Sequence, residues 1–337
     1  MSGYFWVNKK INKFLFGFII ISISSVISAY FSLDHLGYQG IFSRYGETPF
    51  VEAINEVVYY ELFFIMLSKV FSEFNVFICF AFVAACSFSI KLNLIEKASR
   101  DIFLSLLIFF SFFFLLHDST GIRVSLAIAI SFYGLYFLSK DRPFSYFFCV
   151  LISALFFHYS LFVFFVTFLL RTVKTAYFLL AFWVILIVLY YVGFTFTDLL
   201  IQISEFLGRG FTPVDKLYLY INRGVGDAAP FSKFFLGLFF VSIIAFFKYK
   251  NNLNKFELYC FNSLFLSFVI LALLSQTPEI QNRLSEIFRV AIVFIFPLYY
   301  MLLVEIIRSK KIAMLITYTG LFLYFIYFSA FKGMIVL

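Results

Sequence analysis

Apolar runs of about 15–22 residues follow one another along the whole chain, separated by short polar stretches, and each is close to the ~20 residues an α-helix needs to cross a ~30 Å hydrocarbon core. Lipid is the solvent that fits such a pattern. Of the 337 residues, 63% are hydrophobic and only 13% are charged, whereas a soluble domain has about 45–50% apolar and about 25% charged residues. The mean hydropathy is +1.00. A soluble fold of this composition would have to expose large apolar patches, which soluble monomers avoid. Backbone groups in lipid must pair within their own segment, and a membrane barrel would alternate apolar and polar residues, which these runs do not. The expected fold is all-α, a polytopic transmembrane helical bundle of about 10–12 spans, forming a single integral membrane domain over 1–337.

The predicted spans are 14–33, 74–92, 102–116, 122–139, 144–157, 159–170, 177–197, 231–247, 257–275, 287–307 and 312–331. Basic residues precede the first run, which is longer than a signal-peptide core and has no small-residue cleavage site, so it reads as a retained span. Residues 34–73 form an outer loop in which 51–71, with Glu52, Glu56 and Glu61, reads as an amphipathic surface helix. A second outer loop covers 198–230 and is long enough to act as a lid or binding loop. Cys79, Cys86, Cys149 and Cys260 lie inside apolar runs without CxxC spacing and read as core residues, not as a disulfide framework or a zinc site.

Orientation follows from the rule that cytoplasmic loops carry Lys and Arg. With the N-terminus inside, the inner sets are Lys9, Lys10, Lys13, Lys91, Lys97, Arg100, Lys140, Arg142, Arg171, Lys174, Lys248, Lys250, Lys255, Arg308, Lys310 and Lys311. The count requires residues 144–170 to be a hairpin turning at His158, because a single crossing between Arg142 and Arg171 would invert every later loop. Six arginines remain on the outer side: Arg44, Arg123, Arg209, Arg223, Arg283 and Arg289. Arginine is the better fork for phosphate and carboxylate oxygens, and the net charge of +8 is topological, with nothing that argues for nucleic acid.

Three polar clusters stand at predicted outer ends of spans. The first runs from His117 and Asp118 to Arg123, where an Arg one turn into a membrane helix is a functional candidate unless it merely pairs with Asp118. His158 marks the second, at the predicted turn. In the third, Glu279 to Glu286 with Arg289 one turn on, Arg283–Glu286 or Glu286–Arg289 also fit as ordinary helix pairs. For any one outer arginine, interfacial snorkelling is the bland alternative.

Four stretches in order, Tyr60-Glu61-Leu62-Phe63 before Leu67-Ser68-Lys69-Val70-Phe71, then Gly121-Ile122-Arg123-Val124-Ser125-Leu126-Ala127, Phe157-His158-Tyr159-Ser160 and Asn282-Arg283-Leu284, resemble the EpsG family. These are Wzy-type polymerases of O-antigen, capsule and exopolysaccharide. The resemblance spans about residues 30–300, with Val124 where the family usually has Gln and Leu62 where it commonly has Pro. It implies a GT-C-like enzyme of the bacterial inner membrane, active on the outer face. Such an enzyme moves a growing glycan from its undecaprenyl diphosphate carrier to another lipid-linked repeat unit, inverting the anomeric centre without metal or cofactor. Donor and acceptor are both lipid-linked oligosaccharides, and membrane lipid and a chain-length regulator protein are further expected partners.

Physical chemistry agrees with this reading. A departing diphosphate gathers negative charge that preorganised arginines stabilise; Arg123 and Arg283 are the first candidates, with Arg289, Arg209, Arg223 and Arg44 as further substrate-binding candidates. The acceptor hydroxyl needs a base, for which His158 is suited near neutral pH, with Asp118, Glu61 and Glu286 as substitutes. No paired carboxylates of DxD type stand on the outer face. A lipid-linked oligosaccharide flippase would usually show about twelve or more spans in two similar halves, and no internal repeat is present. A membrane O-acyltransferase would place its histidine near the first helix. A purely structural subunit would not explain why His, Arg and Glu gather on one side.

Overall fold

The structure is a computed structural model that describes residues 35–49, 51–52, 62–72, 76–114, 121–193, 233–275 and 277–331, with a few isolated positions elsewhere. Every regular element among these residues is helical and none is a strand, as expected for backbone that must satisfy itself within each segment. The elements are α1 His35–Glu47, α2 Leu62–Phe71, α3 Val76–Ala98, α4 Ile102–Phe109, α5 Ile122–Ser139, α6 Pro143–Ile152, α7 Val173–Tyr191, α8 Lys233–Tyr249, α9 Lys255–Leu273, α10 Pro278–Arg289, α11 Ile292–Ile307 and α12 Lys310–Phe331. α4 continues as a π-helical turn through 110–114. α6 continues as the π-helix Ser153–Phe157, and the 3-10 helix Tyr159–Leu169 follows it.

Among the described residues, three helices are long and apolar enough to cross a membrane, Phe77–Ala98, Val173–Tyr191 and Lys255–Leu273. A fourth span arises if Ile280–Arg289 and Ile292–Ile307, bent by 66°, count as one. The remaining apolar helices are shorter, because π and 3-10 turns and the break at His158 interrupt them. α9 is the hub: 83% of its apolar window is buried, against 17% for α7 at the periphery. Its buried Asn262 donates to the carbonyls of Leu170 at 2.7 Å and Thr172 at 3.1 Å, satisfying the backbone between the 3-10 helix and α7.

The segment 144–170 reverses direction. The Tyr146 hydroxyl donates to the Phe164 carbonyl at 2.8 Å and lies 2.9 Å from the Thr167 hydroxyl, and the Phe147 and Phe165 rings lie 5.7 Å apart. A straight helix would separate residues 146 and 164 by ~27 Å. His158, extended at φ −163°, is the turning point. α5 and α6 form a second hairpin through Asp141, whose φ of 59° makes the tight turn. Gly134 permits their close contact, since a Cβ there would lie 2.9 Å from the Cys149 side chain.

α5 therefore runs between two ends of the bundle about 27 Å apart. At the Arg100 end, charges from different helices pair. Arg100 forks onto buried Glu257, with its second bond 2.8 Å long, and the Glu257 hydrogen bond raises the Arg100 pKa. Lys255 meets Asp141 at 2.6 Å, Lys248 pairs with Glu305, and Tyr249 donates to Glu305 at 2.8 Å. The other end carries Arg123, the His158 turn and α10.

Two expectations change. Of the predicted amphipathic helix over 51–71, residues 53–61 lie outside the described residues, and in α2, Leu62–Phe71, Phe64, Ile65, Leu67 and Ser68 are buried. The Lys69 ammonium reaches back to the Gly46 carbonyl at 3.2 Å and closes the C-terminus of α1. The predicted span 287–307 is split, with α10 tilted away from α11. Lys91 is no loop residue: α3 continues to Ala98, leaving Lys91 only 6% exposed inside the bundle. The predicted first span 14–33 and the loop 198–230 lie almost wholly outside the described residues.

Candidate functional site

Arg123 sits in the first turn of α5, where its Nε donates to the Tyr38 hydroxyl of α1 at 3.2 Å. Its guanidinium lies 4.7 Å from the Phe64 ring centroid and 5.6 Å from that of Tyr38. The rings are themselves fixed, since Tyr38 meets Phe64 edge-on at 5.0 Å and Phe80 of α3 at 5.2 Å. Cation–π contacts contribute ~0.5–2 kcal/mol, which offsets part of the ~2.5–3.5 kcal/mol that an Arg costs in hydrocarbon. An aromatic box of this kind holds a guanidinium in place and leaves its charge intact.

Two residues further along α5, Lys91 of α3 donates to the Ser125 hydroxyl at 2.6 Å, and Ser125 lies 2.8 Å from the Ser87 hydroxyl. The Lys91 ammonium is also 5.0 Å from the Phe109 ring centroid. All three side chains are buried. Lys91 is thus a second buried cation close to the Arg123 end of α5, in a medium that screens charge weakly.

The His158 turn closes against the same box. Phe157 packs in the cluster that contains Tyr38 and Phe64, and its ring centroid is 4.3 Å from that of Phe63. His158 is half-buried; its N–H donates to the Ser153 carbonyl at 2.9 Å and its carbonyl accepts from Leu161 at 3.0 Å. α10 lies on the limb that follows, where Phe288 stacks on Phe164 at 5.7 Å and 3°. Pro278 opens α10, and Gln281 ties it to α9 by donating to the Leu271 carbonyl at 2.6 Å. Asn282 and Arg283 are exposed, whereas Gln281 and Ser285 are buried.

At the bend after α10, Arg289 is 8% exposed. A terminal nitrogen is 3.4 Å from Glu286, and its Nε has no hydrogen-bond partner. Of the two helix pairings compatible with the sequence, Glu286–Arg289 is the ion pair seen. The Arg289 guanidinium also lies 4.3 Å from the Phe235 ring centroid of α8.

The model of the EpsG family aligns with residues 4–335, essentially the whole chain. The chain belongs to the EpsG family. That family is associated with Wzy-type polymerases, which gives this EpsG-family protein a polysaccharide polymerase-like role in general terms. No curated protein and no solved structure gives a match.

In this EpsG-family protein, Arg123 and the Phe157–His158 turn share one aromatic cluster, and α10, with Arg283, Glu286 and Arg289, leans on the limb after His158. Arg44 is exposed, on the opposite face of α1 from Tyr38. Asp118, Glu61, Arg209 and Arg223 lie outside the described residues. Lys91, Ser125 and Tyr38 are additions that the sequence reading did not single out as site residues. The i, i+4 spacing of Ser87 and Lys91 marks one face of α3, and Tyr38, Phe42 and Tyr45 mark an aromatic stripe at i, i+4 and i+7.

Proposed function

We propose that this protein joins oligosaccharide repeat units carried on undecaprenyl diphosphate into a polysaccharide, at the extracytoplasmic face of a bacterial inner membrane. The observation that carries this reading is the reversal of the chain at His158, which sets the histidine turn against the aromatic box of Arg123. An acceptor hydroxyl attacks the anomeric carbon of the donor unit, and the bond from that carbon to the diphosphate oxygen breaks. The hydroxyl proton passes to the His158 imidazole, and undecaprenyl diphosphate leaves with the bonding electron pair. Arg123 and Arg283 meet the charge that builds on the leaving diphosphate, and Lys91 adds a fixed positive field behind them. Exposed Arg283 and Asn282 on α10 face the sugar and head-group side, while Glu286 pairs with Arg289 at the bend.

The charge pairs at the Arg100 end favour that end as cytoplasmic, since it collects the Lys and Arg of the short loops. Reporter fusions test the orientation: one after Lys255 should read cytoplasmic, and one within 210–225 should read external. Deleting the gene tests the function. Surface glycans should then carry a single repeat unit, with assembly and export of units continuing. Complete loss of surface units, with lipid-linked units trapped inside, would instead indicate a flippase.

A further inference from the structure

A cavity of about 450 Å³ lies at the Arg100 end of the bundle, between the last turn of α3, the end of α5 and the start of α9, within the ~300–1,000 Å³ typical of ligand sites. Its lining includes Lys97 of α3, Tyr136 of α5, Lys140 and Asp141 of the turn that follows, and Lys255 and Phe256 of α9. The three lysines and Asp141 are exposed, so a charged rim surrounds an aromatic floor.

The charges on that rim do not balance. Arg100 and Lys248, at the same end, meet carboxylates of other helices, Glu257 and Glu305. Lys255 meets Asp141 at 2.6 Å, and Asp141 is the one acidic residue of the lining. Lys97 and Lys140 have rings where the others have carboxylates. Lys97 donates to the Tyr133 hydroxyl and its ammonium lies 5.2 Å from the Tyr133 ring centroid, while that of Lys140 lies 5.4 Å from the Tyr136 centroid. Those rings meet edge-on at 6.1 Å, and Tyr136 meets Phe256 edge-on at 6.0 Å. A ring orients a cation without neutralising it. Two ammonium groups from two segments thus stand at one cavity, and no carboxylate among the described residues pairs with either. Membrane topology explains why lysines collect at this end, but not why two of them share a cavity whose one carboxylate is already engaged.

We infer that this cavity binds the headgroup of an anionic phospholipid bearing two phosphodiesters, of the cardiolipin class, with Lys97 and Lys140 each meeting one phosphate. Basic pockets between membrane helices on the cytoplasmic side suit such headgroups, and lysine binds phosphate as a point charge that needs no fork. A lipid is favoured over a free phosphate by what adjoins the turn. Phe144, Phe148 and Leu151 are exposed at i, i+4 and i+7 on α6, an apolar face that begins three residues after Asp141 and that acyl chains can cover. The inference stands without the polymerase reading, because the length of α5 separates the cavity from the Arg123 box.

The test is native mass spectrometry of the purified full chain in detergent, with cardiolipin, phosphatidylglycerol, phosphatidylethanolamine or inorganic phosphate added. Cardiolipin should stay bound under activation that strips phosphatidylethanolamine, and phosphatidylglycerol, with one phosphodiester, should bind more weakly than cardiolipin. The double variant Lys97→Gln, Lys140→Gln should lower cardiolipin affinity about thirtyfold, at about fivefold for each lysine near a lipid surface. Lys97→Arg with Lys140→Arg should keep it, and thermal melting confirms that each variant folds. Lys174→Gln with Lys310→Gln removes two exposed lysines of the same end that do not line the cavity, and should leave affinity unchanged. An equal loss in that control would make the attraction diffuse and overturn the site, as would full affinity in the Lys97→Gln, Lys140→Gln variant or cardiolipin held no better than phosphatidylethanolamine. Displacement of cardiolipin by equimolar inorganic phosphate would overturn the lipid assignment.

Discussion

Arg100 and Arg289 stand at opposite ends of the bundle and are held in opposite ways. Arg100 is about one-third exposed, yet both ends of its fork reach Glu257 and it also donates to the Asn252 carbonyl at 2.8 Å. Arg289 is far more buried, yet it has one ion-pair contact at 3.4 Å and an orphaned Nε. The chain satisfies the whole fork of Arg100 and only part of that of Arg289. Arg123, by contrast, rests on the Phe64 ring and donates to the Tyr38 hydroxyl.

Glu257→Ala should give the largest effect on stability. Removing the buried carboxylate leaves Arg100 one-third exposed, so the cost lies below the ~3–5 kcal/mol of a fully buried pair, and melting in detergent, membrane abundance and polymer should all fall. Arg289→Met should leave the melting temperature unchanged or raise it, because replacing a poorly satisfied buried charge is often neutral or stabilising. A parallel loss of stability in both variants would erase the distinction between the two ends.

Arg123→Lys keeps the charge but loses the planar fork. By analogy with one oxyanion-hole donor, it should cost ~2.7–4 kcal/mol of transition-state stabilisation, or ~10²–10³ in polymerisation rate. Abundance should stay normal, and polymer length on gels alongside immunoblots measures both. Full-length polymer from both Lys and Ala variants at 123 would make this arginine a structural group and not part of the site.

Tyr38→Phe sharpens the point by keeping both rings and removing the acceptor of the Arg123 hydrogen bond. A single such bond is worth ~0.5–1.5 kcal/mol, so the rate should drop by up to about tenfold with the melting temperature little changed. The smallest effect belongs to Lys255→Ala, since the Lys255 and Asp141 side chains are 64% and 77% exposed. Such pairs contribute ~0–1 kcal/mol, and neither abundance nor polymer length should move measurably.

The fold class and the hairpin at His158 are legible in the sequence, because the solvent imposes helices and the positions of Arg142 and Arg171 demand an even number of crossings. The helix lengths are less legible. Hydropathy does not reveal that α4 and α6 finish as π turns, since both sides of each are apolar, and the bend between α10 and α11 falls at the start of the apolar stretch that follows Arg289. Lys91 is misread for a related reason: it follows an apolar run, as an end-of-span lysine would, and only the neighbouring helix supplies Ser125 to receive it. The candidate arginines Arg123 and Arg283 stand out in the sequence through their placement in helix-end motifs. Tyr38 and Phe64 do not, because an aromatic box is a tertiary arrangement and 24% of the chain is aromatic, leaving no compositional contrast.

The most direct test of the account is reconstitution of the purified chain in proteoliposomes with an undecaprenyl-diphosphate-linked repeat unit, followed over time for polymer and for free undecaprenyl diphosphate. The account predicts a ladder of lengthening glycans, with one carrier released for each glycosidic bond formed and both signals strongly reduced together in Arg123→Lys. Movement of intact lipid-linked units across the bilayer, with no ladder and no carrier released, would contradict it.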